Sequence, residues 1–272
     1  MRYGLSLPPF DELADPFVMA DLARRAEAAG WDGLFLWDHV QYRHPVQAVA
    51  DPWIVMAAVA LATERIRIGP MVTPLARRRP QIVARQCTTL DHLSGGRLTL
   101  GAGLGLDRSG RELSAFAEET DDRTRAAMLD EALEVITALW SGEAVDHGGP
   151  HYTAADVRFL PRPIQRPRIP VWAAGRHPNQ APIRRAARWD GMNLIDVDHP
   201  DQVAEVAAGI AAHRPSGDLD VFDLAVGGDA DIDPRGYAEA GATWWLVDPE
   251  PWDLTASAAG AVVDAGPDGL GR

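Results

Sequence analysis

The chain has 272 residues, 46% of them hydrophobic and 24% charged, and its 39 acidic side chains against 26 basic ones leave a formal charge of −13. That composition excludes a disordered chain, and the charge would repel nucleic-acid phosphates and anionic lipid headgroups, so neither nucleic acid nor membrane is an expected partner. All 26 basic residues are arginine, which excludes Schiff-base aldolases, pyridoxal-phosphate enzymes and P-loop NTPases, each of which needs a lysine amine.

Short apolar runs alternate with amphipathic stretches, the pattern of βα units around a parallel sheet. Tyr3 to Leu7 reads as a first strand and Asp15 to Ala29 as a helix opened by Asp15-Pro16 and stopped by Gly30, with Phe17, Leu22, Ala26 and Ala29 on its apolar side. Gly33 to Trp37 is the second strand. A helix opened by Asp51-Pro52 and running to Thr63, a strand from Ile66 to Thr73 and a helix from Pro80 to Leu93 follow. Arg97 to Gly101 gives strand four and Asp122 to Trp140 a long helix. The Gly/Pro-rich stretch Gly142 to Pro170 interrupts the alternation, with an accessory strand around His151 to Phe159.

Four more strands follow at Val171 to Ala174, Met192 to Ile195, Phe222 to Val226 and Thr243 to Val247. Helices lie near Ala181 to Trp189, Pro200 to His213, Pro234 to Ala240 and Thr255 to Asp264. Eight strands with eight helices predict an α/β fold of one (β/α)8 TIM barrel, spanning 1–272 as a single domain, with a short insertion after the fourth βα unit. The chain has no apolar run of about 18 residues and no basic-then-hydrophobic start, so a cytoplasmic protein is expected. Cys87, the single cysteine, lies in a helical stretch and reads as a small buried thiol.

In such a barrel, sites are built from the loops after the strands. Asp38-His39 directly follows GLFLW: the histidine can exchange a proton near neutrality, and the carboxylate can bind a ligand or bias the imidazole, unless Asp38 only caps a turn. Within Gly69 to Pro74, glycine and proline predict either a bulge that brings Met71 backbone and the Thr73 hydroxyl to a ligand, or a plain strand end. The run Gly101-Ala102-Gly103-Leu104-Gly105 fails the dinucleotide fingerprint, because Leu106 and Arg108 stand where a third glycine would be needed. Its glycines, Gly103 among them, suit a close flat ring. Gly175, Arg176, Pro178 and Asn179, between a strand and a helix, make either a lysine-free phosphate site or an ordinary capped turn.

The run Arg77-Arg78-Arg79 is either an anion-attracting element of the same face or a solvated loop. His147 and His151 are separated by Gly148-Gly149-Pro150, which breaks the helix that would align them on a metal, and no metal site is assigned. The tryptophans Trp31, Trp37, Trp53, Trp172 and Trp189 read mostly as core, with Trp37 or Trp53 able to line a pocket mouth.

Taken in order, AEAAGWDGLFLWDH, LATERIRIGPMVTP, TLDHLSGGRLTLGAGLG, LWSGE, VWAAGRHPNQ and RWDG resemble the motif series of the bacterial-luciferase-like family, over roughly residues 1 to 195. The resemblance implies a TIM barrel, often a homodimer, acting on a small organic substrate with FMN or the deazaflavin F420. The reaction would be hydride transfer or, with FMN, oxygen activation. Position by position it implies His39 as the proton donor, Asp38, Met71, Thr73 and Gly103 near the cofactor ring or tail, and Gly175, Arg176, Pro178 and Asn179 as a phosphate loop. The Asp-His pair and the split glycine loop resemble the F420 branch.

This chain departs from the family's sugar-phosphate dehydrogenases, with Leu106 where they place an acid/base glutamate and Arg43 where they place a tryptophan; Asp107 is a displaced carboxylate. Two rival readings are a redox-silent flavin-binding protein, and a metal-dependent barrel hydrolase using Asp38-His39 with Asp196, Asp198 and His199.

Overall fold

The computed structural model describes residues 1–214, 217, 219–252 and 254–271. In chain order its elements are β1 (Arg2–Leu7), α1 (Pro16–Ala29), β2 (Gly33–Leu36), α2 (Pro52–Ala62), β3 (Arg67–Pro70), β4 (Thr73–Pro74), α3 (Pro80–Leu93), β5 (Leu100–Gly103), α4 (Asp122–Trp140), β6 (Ala144–Gly148) and β7 (Thr153–Arg158). They continue with β8 (Val171–Gly175), α5 (Gln180–Ala186), β9 (Gly191–Leu194), α6 (Pro200–His213), β10 (Asp223–Gly228), α7 (Arg235–Glu239), β11 (Trp244–Val247) and α8 (Ala256–Ala265).

The helix starts follow from local chemistry. The Asp15 carboxylate accepts the Phe17 N–H, Asp51 accepts those of Trp53 and Ile54, and a proline occupies the next position in both helices. Gly30 ends α1 at φ 94°, a left-handed conformation that costs a glycine little. The buried stripe of α1 is Met19, Leu22, Ala23 and Ala26. Phe17, expected on that stripe, is 86% exposed instead, because at about 100° per residue it falls on the helix face opposite the stripe.

The strands run in the parallel order β3-β2-β1-β11-β10-β9-β8-β5-β4. β3 and β4 are halves of one interrupted strand, and β3 also meets the chain ahead of β5: Thr99 N–H donates to Ile68 O (2.9 Å) and Ile68 N–H to Arg97 O (3.1 Å). The sheet therefore closes into the expected (β/α)8 barrel. The close approach requires Gly69, where a Cβ would stand 2.0 Å from Thr99 O. The interruption falls at a cis peptide between Met71 and Val72, where the bulge was expected.

Strand four begins three residues later than the sequence suggested. Arg97 is not a strand residue but an anchor, donating to the carbonyls of Ala60, Thr63 and Ile66, and so closes the C-terminal end of α2. The insertion between α4 and β8 holds two strands where one was expected. β6 and β7 pair antiparallel, and buried Glu131 of α4 seats their turn by accepting from the N–H groups of His151 and Tyr152.

Strands such as Gly33–Leu36 and Gly191–Leu194 are buried on both faces, as a parallel sheet under helices requires. The larger apolar cluster lies between sheet and helices, and it includes Trp31 and Cys87. A smaller one fills the barrel: the rings of Phe35, Trp172 and Trp244 stand 5.5 to 5.7 Å apart, with Met71 beside them. Among the described residues no helix is long and apolar enough to cross a membrane.

Candidate active site

The C-terminal ends of the strands form one mouth, which receives Asp38 and His39 after β2, Arg77 and Arg78 after β4, Glu112 after β5 and Asp248 after β11. The Asp38 side chain is closed from solvent and its two oxygens take four donors. Arg77 Nη2 and Arg78 Nη2 each lie 2.8 Å from Oδ1, while Thr73 Oγ1 at 2.8 Å and Trp53 Nε1 at 3.2 Å reach Oδ2. Burial alone would push this carboxyl up, but the Arg78 and Arg77 charges outweigh it and hold the group below the usual carboxylate range. Asp38 and Thr73 thus spend their polar atoms on each other and on the arginines.

Arg77 and Arg78 are no solvated loop: their side chains are 5% and 16% exposed. Arg77 Nε and Nη1 and Arg78 Nε are buried with no acceptor among the described residues.

His39 is the more accessible member of the pair, its side chain 19% exposed, and its Nδ1 lies 2.6 Å from Glu112 Oε2. The other Glu112 oxygen accepts the Val40 N–H at 2.7 Å and stands 3.9 Å from Arg77 Nη2. With Glu112 as a carboxylate, Nδ1 is the donor, which leaves His39 Nε2 as the position that gains or loses a proton. Phe10, Trp37 and Tyr42 surround the imidazole at centroid distances of 5.8, 5.9 and 4.9 Å. Trp37 donates Nε1 to Asp248 (2.9 Å) and to Ser6 Oγ (3.1 Å). Burial raises Asp248 to about 6 against the hydrogen bonds it takes from Ser6 and Trp37, with Glu250 and Asp196 adding to the rise.

A Cβ at Gly101 would meet Pro70 O at 2.2 Å and one at Gly103 would meet Val72 Cγ2 at 2.6 Å, so packing of the broken third strand already requires a glycine at both positions. Gly175 is likewise crowded by Pro182 and Met192. In the loop that follows, Arg176 is paired with Asp196, and His177 Nε2 lies 2.7 Å from Glu205 Oε2. Pro178 follows a cis bond, and Asn179 opens α5 without a side-chain cap.

A family model described as luciferase-like monooxygenase matches residues 11–228. The chain belongs to that family. Among its luciferase-like relatives, the F420-dependent glucose-6-phosphate dehydrogenase of Beutenbergia cavernae is 38% identical over 173 residues, covering 61% of this chain and 50% of that one. The chain spans about half the length of the first curated relatives it matches. The F420-dependent tetrahydromethanopterin reductase from Methanopyrus kandleri shares the fold at TM-score 0.77 and 18% identity, covering 99% of each chain. An F420-dependent secondary alcohol dehydrogenase in complex with an F420-acetone adduct superposes at TM-score 0.80 and 19% identity, covering 100% of this chain and 99% of the other.

Within the luciferase-like barrel, the residue that sequence reasoning missed is Glu112. It lies beyond Leu106 and Asp107, the positions at which an acid was expected. Asp107 is instead the support of the loop, accepting the N–H groups of Leu113 (2.8 Å) and Ser114 (2.9 Å), and so turns Glu112 back onto His39. The available signal was a carboxylate in the loop after strand four, one of the loops that build barrel sites. His147 of β6 has its Nε2 3.0 Å from Glu131 Oε1 of α4. Met71 is 6% exposed and belongs to the apolar floor of the mouth.

Proposed function

We propose that this chain is an oxidoreductase working with F420 or FMN on a small organic substrate, with His39 as the residue that moves the proton. The observation that carries the reading is the His39 Nδ1 to Glu112 Oε2 contact of 2.6 Å at the active end of a luciferase-like barrel. When bound, the cofactor supplies exchange of a hydride equivalent or, for FMN, activation of oxygen. The residues fit such a group. Arg77 and Arg78 hold buried N–H groups without an acceptor, suited to an anionic oxygen, and Met71 and Val72 offer an apolar floor. We assign the cofactor tail to the loop of Gly175, Arg176, Pro178 and Asn179, which requires Arg176 to exchange Asp196 for the ligand.

The protein's own contribution is proton handling. In oxidation of an alcohol, His39 Nε2 takes the hydroxyl proton as the carbon gives up its hydride, and Glu112 stabilises the imidazolium through Nδ1. Reduction of a carbonyl runs the same transfer backwards. Relatives named for oxidising glucose 6-phosphate and a secondary alcohol favour this class and the F420 branch. Arg43, where sugar-phosphate dehydrogenases have a tryptophan, stacks 4.5 Å over Trp252 and favours a substrate other than a sugar phosphate.

The test is turnover of F420, and separately of reduced FMN with oxygen, against a panel of secondary alcohols, aldehydes and ketones. Activity with F420 that falls at least about a hundredfold in His39→Asn supports the reading. Binding without turnover by any acceptor would instead make the protein a redox-silent cofactor carrier.

We further propose a cytoplasmic homodimer. α2 carries no charged side chain, and its Ile54 and Leu61 are 67% and 74% exposed, which favours cover by a second copy. Light scattering coupled to gel filtration distinguishes a dimer from a monomer of 29.4 kDa.

A further inference from the structure

The opposite end of the barrel, where the strands begin, holds a cavity of about 290 Å³ into which four arginines converge: Arg2, Arg67, Arg166 and Arg168. In a chain of net charge −13 this concentration of positive charge is unusual. Three aspartates, Asp190, Asp220 and Asp223, also line it, leaving one positive charge in excess.

The arginines are not equally satisfied. Arg2 pairs with Asp223 at 2.6 Å and lies over the Trp244 ring at 4.7 Å, and Arg168 pairs with Asp190 at 3.0 Å. Arg168 Nε is nevertheless buried without an acceptor. Arg67 donates Nη1 to the Thr99 hydroxyl at 2.9 Å, and Arg166 donates Nη1 to the carbonyls of Pro163 and, at 3.0 Å, Gln165. Among the described residues neither has a carboxylate within 4.0 Å. Burial lowers Arg67 from its usual value, and the Arg2 charge works in the same direction, against Asp223 and Asp91.

From this geometry we propose that the cavity at the N-terminal end of the barrel binds a small multivalent oxyanion of phosphate or polycarboxylate type between Arg67, Arg166 and Arg168. Planar guanidinium groups match such oxygens in pairs. The volume holds one small anion with its water, since a water claims about 30 Å³. The anion would join the start of β3 to the segment ahead of β8, and so brace the barrel. β1 runs six residues from Arg2 towards the other mouth, about 20 Å at 3.3 Å per residue, so the site is separate from that of His39. The inference does not depend on the proposed redox function.

The test is thermal unfolding of the full chain at constant ionic strength, titrated with inorganic phosphate, with citrate and with chloride. A saturable rise in Tm of about 3 °C at ten times Kd is expected for phosphate or citrate and none for chloride. Which of the two gives the tighter midpoint names the ligand type. Arg67→Gln is expected to abolish the rise, and Arg166→Gln, on the irregular segment ahead of β8, to weaken it at least fivefold in midpoint should Arg67→Gln fail to fold. Arg176→Gln, at the other mouth, is expected to retain it. An unsaturable rise, an equal rise with chloride, a rise retained by both cavity variants, or one lost in Arg176→Gln would each overturn the proposal.

Discussion

His39 and Glu112, 73 residues apart in the chain, meet at 2.6 Å between the loops that follow the second and fourth barrel strands. Glu112 Oε1 is held by the Val40 N–H, so the carboxylate cannot swing away without giving up a second, part-buried hydrogen bond. Glu112→Gln keeps the shape and removes the charge. Turnover is expected to drop at least about 10-fold and up to about 10⁴-fold, as when a carboxylate that orients a general-base histidine becomes an amide. Cofactor affinity should stay within about threefold and Tm within a few degrees. Loss of cofactor binding in parallel with turnover would show Glu112 to be a structural support only.

Asp38 is the counter-charge of two buried guanidinium groups, its side chain 0% exposed and that of Arg77 5%. Asp38→Asn leaves Arg77 and Arg78 without it, and a loss of about 3–5 kcal/mol in urea unfolding is expected, as for other broken buried pairs. Unchanged stability with weakened cofactor binding would instead give Asp38 a direct ligand role.

Asp248, raised to about 6 from 3.8, gives a pH dependence of defined sign. Between these two values the folded chain binds more proton than the unfolded one, so this group's contribution is present below pH 3.8 and is lost as pH rises through about 6. Asp248→Asn removes that loss. Its stability relative to the wild type should increase between pH 4 and 7, by no more than about 3 kcal/mol at 1.36 per unit. A difference that stays flat over that range would contradict the raised value.

Gly69 permits the approach of strands three and four. Gly69→Ala places a methyl group 2.0 Å from the Thr99 carbonyl oxygen, a main-chain atom that cannot move without opening the barrel. A loss of about 3 kcal/mol or more, or failure to recover folded protein, is expected; a Tm within about 2 °C of the wild type would contradict this reading.

The barrel was legible because its signals are local. Asp15-Pro16 and Asp51-Pro52 cap their helices with their own side chains, and Gly30 ends one by its own φ. The first hairpin strand, Ala144–Gly148, was missed because only Val145 of its five residues is buried and its register shifts, so it has little apolar period to read. Asp38-His39 was legible as a candidate site, yet the inward turn of Asp38 depends on Arg77, Arg78, Thr73 and Trp53, which arrive from other segments. In one dimension the arginine run fits an anion-attracting element or a solvated loop; in three, the Arg77 and Arg78 side chains are covered and Arg79 is exposed. Glu112 carries no local pattern at all, since its placement rests on Asp107 folding the loop beneath it.

The central claim, a cofactor-dependent oxidoreductase, is tested most directly by titrating the purified chain separately with F420, FMN and reduced FMN and following cofactor absorbance and fluorescence. Saturable binding at micromolar or lower concentration is expected, tighter for F420 than for either form of FMN, and weakened in Arg77→Gln. No saturable binding of any of the three would contradict the account.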